Sequence, residues 1–128
     1  MAGAQHHFKV IQLPYNLAMT EAFTRATQRV GAELVTVVEA ARRLGIYVMA
    51  SASVHQGQLT RNLPPVVAQF LPGLETDAQR ALQFVRSTPG IGTALIGMKS
   101  AEHVEENALV TGLRPLPEAE FARLFTPA

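Results

Sequence analysis

Residues 33–51, ELVTVVEAARRLGIYVMAS, decide the fold. Leu34, Val37, Val38, Ala41 and Leu44 recur at helical spacing, which predicts a helix over residues 33–44. Gly45 follows, the residue type that most readily closes a helix in the left-handed conformation. Directly after it, residues 46–51 (IYVMAS) form an apolar run of strand length. A helix joined to a strand by a single glycine is the connection expected of α/β winding.

Working outward, residues 8–13 (FKVIQL) are short, apolar and β-branched, and Pro14 stops them, so they are predicted to form a buried strand. Alternation sends Val10 and Gln12 to one face of it and Ile11 to the other. Residues 14–31 mix Pro, Asn, Thr and Gly and read as a long excursion, and residues 53–73 read as loop apart from an apolar turn at 66–70. A second helix is predicted from the N-cap candidates Thr76 and Asp77 through Ala78, Ala81, Leu82 and Val85, ending before Pro89-Gly90. A strand at 93–96 (TALI), a turn at 97–100, a helix over 101–109 and a short helix within 116–125 complete the chain. The alternation implies parallel strands in one domain covering residues 1–128.

The 128 residues fall short of the roughly 250 of a complete eight-stranded β/α barrel, so a barrel reading is a partial one. Apolar residues make up 48% and charged residues 16%, enough hydrophobic surface for a core. The net charge is +1, and Arg42, Arg43, Arg61, Arg80, Arg86 and Lys99 are scattered, which argues against a nucleic-acid partner. There is no cysteine, hence no disulfide and no thiolate chemistry. The start MAGAQHHFKV lacks a cationic segment followed by an apolar one, and no apolar run reaches roughly 18 residues, so a cytoplasmic protein without a membrane partner is expected. His6, His7, His55 and His103 have no metal-ligand spacing, and no metal site is expected. Tyr15 and Tyr47 sit in or beside apolar runs and read as packing rather than as proton donors.

The most informative motif is Ile96-Gly97-Met98-Lys99-Ser100 followed by Glu102, His103, Glu106 and Asn107. A strand that ends in a glycine turn and opens a helix presents free backbone N–H groups, and Lys99 adds a positive charge, which outlines an anion site. On spacing alone, Ser100 as a simple helix cap and Lys99 as a solvated charge explain the same residues.

Residues 94–107, ALIGMKSAEHVEEN, resemble the last strand and following helix of the aldo-keto reductases, which bind the adenosine phosphate end of NADP(H). The resemblance implies that Lys99 and Ser100 meet the 2′-phosphate or the pyrophosphate, that His103 stands where the family often has an arginine, and that Glu106 and Asn107 face the adenine. Residues 8–16, FKVIQLPYN, resemble the family's sixth barrel strand, which implies that Gln12 reaches the nicotinamide carboxamide. Residues 48–59, VMASASVHQGQL, resemble the seventh strand and its loop, which implies that Ser53, Gly57 and Leu59 surround the pyrophosphate. Ala52 stands where an aromatic residue often stacks on nicotinamide, and His55-Gln56 replaces part of the glycine-rich turn.

The resemblance runs over residues 8–125 and implies about three βα units of a (β/α)8 TIM barrel, the C-terminal, cofactor-binding half of the family's fold. The family's catalytic aspartate, tyrosine, lysine and histidine belong to the other half and have no counterpart here, so no catalytic residue is carried over. One expected function is an NADP(H)-binding partial barrel, an oxidoreductase subunit or remnant that acts on a small carbonyl substrate where something else completes the site. The other is a structural or interaction domain that no longer binds cofactor. Three strands cut from a closed barrel also leave edges at 8–13 and 93–96 and a bare face with Val10, Val48 or Met49, and Leu95, so a homo-oligomer, dimer or larger, is expected.

Overall fold

The computed structural model describes residues 6–126. The reading of the first residues as carrying no leader falls largely on residues 1–5, outside the described ones. The elements run β1 (Val10–Pro14), α1 (Glu21–Thr24), β2 (Ala26–Val30), β3 (Glu33–Thr36), α2 (Val37–Arg43), β4 (Tyr47–Ser51), α3 (Pro65–Phe70), α4 (Asp77–Ser87), β5 (Thr93–Ala94), α5 (Ala101–Ala108) and α6 (Glu118–Arg123). Short 3-10 turns at His55–Thr60 and Leu109–Gly112 link α3 to β4 and follow α5.

The three apolar runs pair into one parallel sheet in the order β1-β4-β5. The register sets Gln12 opposite Met49 and Met49 opposite Thr93. Strand alternation therefore puts Val10, Gln12, Tyr47, Met49 and Thr93 on one face. The opposite face, with Leu13, Ala50 and Ala94, packs against Tyr15, Leu71, Leu74, Leu82, Phe84, Val85, Val110 and Phe121. The first face is left open, with Val10 48% and Tyr47 47% exposed. Val48 is buried on the covered side, so of the pair Val48 or Met49 it is Met49 that belongs to the open face. The strand at the start of the chain, expected to be buried, is half-buried on one face and exposed on the other, and Phe8 ahead of it is exposed.

The helix expected over 33–44 begins four residues late, because Glu33–Thr36 is a strand. Val30 pairs with Glu33, leaving Gly31 and Ala32 as a two-residue hairpin turn with glycine, at φ +62°, in its first position. Thr36 then starts the helix, its Oγ1 accepting the Glu39 N–H at 3.2 Å. Leu34 and Leu44, counted on the buried stripe by their spacing, are both exposed as a result. The excursion at 14–31 is likewise more ordered than its composition implied, holding α1 and β2, and the 53–73 loop holds α3. The last strand shortens to Thr93–Ala94, although the Leu95 N–H still donates to the Ala50 carbonyl at 2.8 Å.

The helix stop at Gly45 takes the expected form. Gly45 has φ +65°, its N–H donates to the Arg42 carbonyl, and the Ile46 N–H donates back to the Ala41 carbonyl at 2.8 Å, a Schellman closure. On the exposed side of α2, Glu39 accepts from Arg42 and Arg43, and these hydrogen bonds hold its carboxyl down to about 2.

Helix α4 organises the C-terminal third. Thr76 and Gln79 form a reciprocal capping box at its start. Gln79, Gln83 and Ser87, four residues apart on one helix face, are buried, and each bonds a distant backbone group. Gln79 Nε2 donates to the Glu106 carbonyl at 2.9 Å, Gln83 Nε2 to the Arg114 carbonyl at 2.7 Å, and Ser87 Oγ accepts the Leu116 N–H at 2.9 Å.

At the far end of α4, Gly90 adopts φ +86°, and a side chain added there would meet Val38 Cγ1 on α2. Gly90→Ala is expected to combine backbone strain with a core collision and to cost about 1–3 kcal/mol. Gly45→Ala, where nothing lies within 4 Å of an added Cβ, carries only the conformational term. Thermal melts should rank Gly90→Ala clearly below Gly45→Ala; equal melting temperatures would contradict the Val38 contact.

Candidate functional site

The loop after β4, the residues after β5 and one face of α5 enclose a cleft of about 850 Å³. That size falls within the range of small-molecule and cofactor sites. Its walls follow from two local devices. Ser53, 1% exposed, donates its hydroxyl to the Leu95 carbonyl at 2.7 Å, tying the β4 loop to the end of β5. Thr60 closes the loop's turn by donating to the Gly57 carbonyl at 2.7 Å.

The loop's backbone is held in an uncommon state. Ala52, His55, Gln56 and Asn62 all have positive φ, between 46° and 61°, and no other non-glycine residue among the described ones does. Left-handed non-glycine backbone costs about 1–3 kcal/mol per residue and concentrates at ligand-binding segments. Ala52 and Gln56 line the cleft directly.

Opposite the loop, Ser100 caps α5, its Oγ accepting the His103 N–H at 3.3 Å. The remaining first-turn N–H groups of this eight-residue helix are left at the helix start beside Lys99. Lys99, His103, Glu106 and Asn107 line this side. Asn107 is 8% exposed, and its Oδ1 is buried with no hydrogen-bond partner. An unpaired buried acceptor costs about 1–3 kcal/mol.

Of the residues singled out in the sequence, Ser53, Gly57, Lys99, His103, Glu106 and Asn107 come together as lining of one cleft. Gln12, Leu59 and Ser100 are not part of its lining. Gln12 lies exposed on the open sheet face, and the Leu59 N–H is taken by the Val54 carbonyl at 3.2 Å. His55 is also outside the lining. Arg61 is the residue that sequence reasoning missed. It had counted as one of several scattered cations, yet it lines the cleft together with Lys99, and neither forms an ion pair with another described residue.

The tyrosines separate clearly. Tyr15 is fully buried, stacks on Phe84 at 5.7 Å and 8°, and shares a 3.2 Å hydrogen bond with Thr88. Burial pushes its hydroxyl well above the ordinary range, which suits packing and not proton transfer. Tyr47 lies on the open face, its hydroxyl 2.7 Å from Thr93 Oγ1 and its ring against Gly92.

Strands whose open face continues nowhere within the described residues, helices on the other face and a cleft beyond the strand ends together describe an arc of a larger barrel. The fold is that of part of a (β/α)8 barrel. The chain superposes on the aldo-keto reductase AKR11C1 of Bacillus halodurans in its holo form with a TM-score of 0.64 at 16% identity, covering 94% of this chain and 43% of that one. The apo form of the same enzyme gives 0.61 at 17% identity, over 90% of this chain and 42% of that one. The thermostable aldo-keto reductase Tm1743, in complex with the inhibitor epalrestat, gives 0.59 at 18% identity, over 90% and 38%. The chain thus spans well under half the length of these enzymes, and its α/β architecture is a partial (β/α)8 barrel. No family profile matches the sequence, and no curated protein does. Among the described residues no helix is long and apolar enough to cross a membrane.

Proposed function

We propose that this chain is an NADP(H)-binding partial barrel of aldo-keto reductase type, which supplies cofactor binding and leaves completion of the catalytic site to other residues or to another chain. The observation that carries the reading is the cleft itself. Arg61 and Lys99, two cations with no ion-pair partner among the described residues, line one cavity together with residues of the Ser100-capped helix α5. Phosphate oxygens suit the cations and the free N–H groups. Glu106 and Asn107, which line the same cleft farther along α5, carry carboxylate and amide groups suited to an exocyclic amino group such as that of adenine.

On this reading Lys99, Arg61 and His103 hold the phosphates, Ser100 keeps α5 correctly started, and Ser53 and Gly57 set the loop wall. The bound cofactor would supply hydride to a small carbonyl compound. The proton for the carbonyl oxygen needs a separate donor. Tyr15 is unsuited to that role by its burial.

Isothermal titration at low salt should show saturable NADPH binding. Lys99→Ala is expected to weaken it about tenfold, as one charge-assisted contact is worth about 1.5–3 kcal/mol when well formed and less when exposed. Absence of saturable binding up to millimolar NADPH would end the cofactor reading and leave the interaction-domain alternative.

The open sheet face favours a second property, self-association. Val10 and Tyr47 are about half exposed there, and β1 and β5 are both edge strands of the sheet. Unpaired parallel edges and a bare apolar face are both relieved by setting two sheets together. Sedimentation velocity at micromolar concentration should show a dimer or larger species; a cooperative, well-folded monomer would contradict this.

A further inference from the structure

On the covered side of the sheet, α3, the end of α6 and the segment between β1 and α1 surround a hollow of about 260 Å³ that shares no lining residue with the cleft. Buried Phe84 of the core lines it, and Val66, Phe70 and Phe125, 48%, 38% and 37% exposed, line it nearer the solvent. No charged side chain belongs to the lining, and its one polar side chain is Thr20, whose hydroxyl does not cap α1. Among the described residues Phe70 has no aromatic partner, whereas the other five phenylalanines each have a ring centroid within 6.4 Å. Both bounding helices are six residues long and start after Pro64 and Pro117 without a side-chain cap. Helices this short are held by packing alone, so the wall can adjust to what enters.

We propose that this hollow is a binding site for a small uncharged aromatic molecule of one or two fused rings, seated against Phe70 with a single polar atom toward Thr20. Size sets the ring count: an apolar cavity of about 150 Å³ holds benzene, and this one has room for roughly one more fused ring. The lining sets the charge, because an ion entering here would give up hydration and meet no opposite charge. An aromatic occupant also supplies the ring contact that Phe70 lacks, and covers apolar surface of Val66, Phe70 and Phe125 that now faces water. The site is independent of the cofactor reading, since it lies in the helical layer and not at the strand ends.

Indole is the probe, because the chain has no tryptophan and the emission of indole shifts to the blue as it leaves water. Titrating the full chain into indole should give a saturable blue shift with a Kd of about 0.1–1 mM, the range open to so small a ligand. Indole-3-carboxylate, the same ring with a charge, should bind at least about tenfold more weakly. Val66→Phe, which fills the hollow from its mouth, should weaken indole by about tenfold or more without lowering the melting temperature. Phe70→Leu keeps an apolar wall but removes the ring, and should weaken indole about threefold to tenfold. No saturable shift at roughly ten times the expected Kd would overturn the proposal. So would carboxylate binding as tight as indole, or indole binding that both folded variants leave unchanged.

Discussion

Phe84→Ala is expected to remove about 3–5 kcal/mol of stability, a loss comparable to the whole folding free energy of a small domain. Phe84 is 2% exposed and sits at the centre of an aromatic cluster. Its ring stacks on Tyr15 at 5.7 Å, meets Phe121 at 5.3 Å and reaches Phe125 at 6.3 Å. Truncation leaves a cavity that these rings cannot all close, because Tyr15 is tied to Thr88 and Phe121 is packed edge-on against Phe23 at 5.4 Å. Phe125→Ala, with that side chain 37% exposed, should cost markedly less. Urea unfolding followed by circular dichroism measures both. A Phe84→Ala loss below about 1 kcal/mol would mean that the cluster repacks and that the core is centred elsewhere.

Gln79→Leu is expected to cost about 2–4 kcal/mol and also to weaken nucleotide binding, although Gln79 does not line the cleft. The 2% exposed Gln79 carboxamide accepts from the Glu75 and Thr76 N–H groups at 2.9 and 3.3 Å and donates to the Glu106 carbonyl at 2.9 Å. Leucine keeps the volume but strands these partners, each at about 1–3 kcal/mol when buried and less where water reaches it. The Glu106 carbonyl belongs to the turn that carries Asn107, so its release loosens the cleft wall formed by these two residues. Comparing urea midpoints with NADPH titrations of the folded variant tests both parts. A variant that loses stability but binds NADPH normally would show that Gln79 only caps α4.

Much of the fold was legible in local pattern. Helical spacing, the Gly45 stop, the Thr76 cap and the Pro89-Gly90 break marked α2, β4 and α4, because each acts through neighbours within a few residues along the chain. The β2–β3 hairpin was not legible. Residues 33–36, ELVT, carry apolar and β-branched side chains compatible with either state, and pairing with β2 settled the choice.

The candidate site divides the same way. The sequence by itself determined the strand–turn–helix at Lys99 and Ser100 and the alternation that separates Gln12 from Ile11, since these depend on spacing and on immediate neighbours; it assigned Tyr15 and Tyr47 the same packing role, and only the fold buried the first and left the second on the open face. Only the tertiary structure decided that Arg61 joins Lys99, that Gln12 stays outside the cleft, and that Gln79, Gln83 and Ser87 grip backbone groups 27, 31 and 29 residues away. Their side chains read as ordinary helix-surface polars until the chain brings a distant carbonyl or N–H to them. Burial then makes each of those bonds obligatory, because a polar group removed from water must find its partner wherever the fold places one.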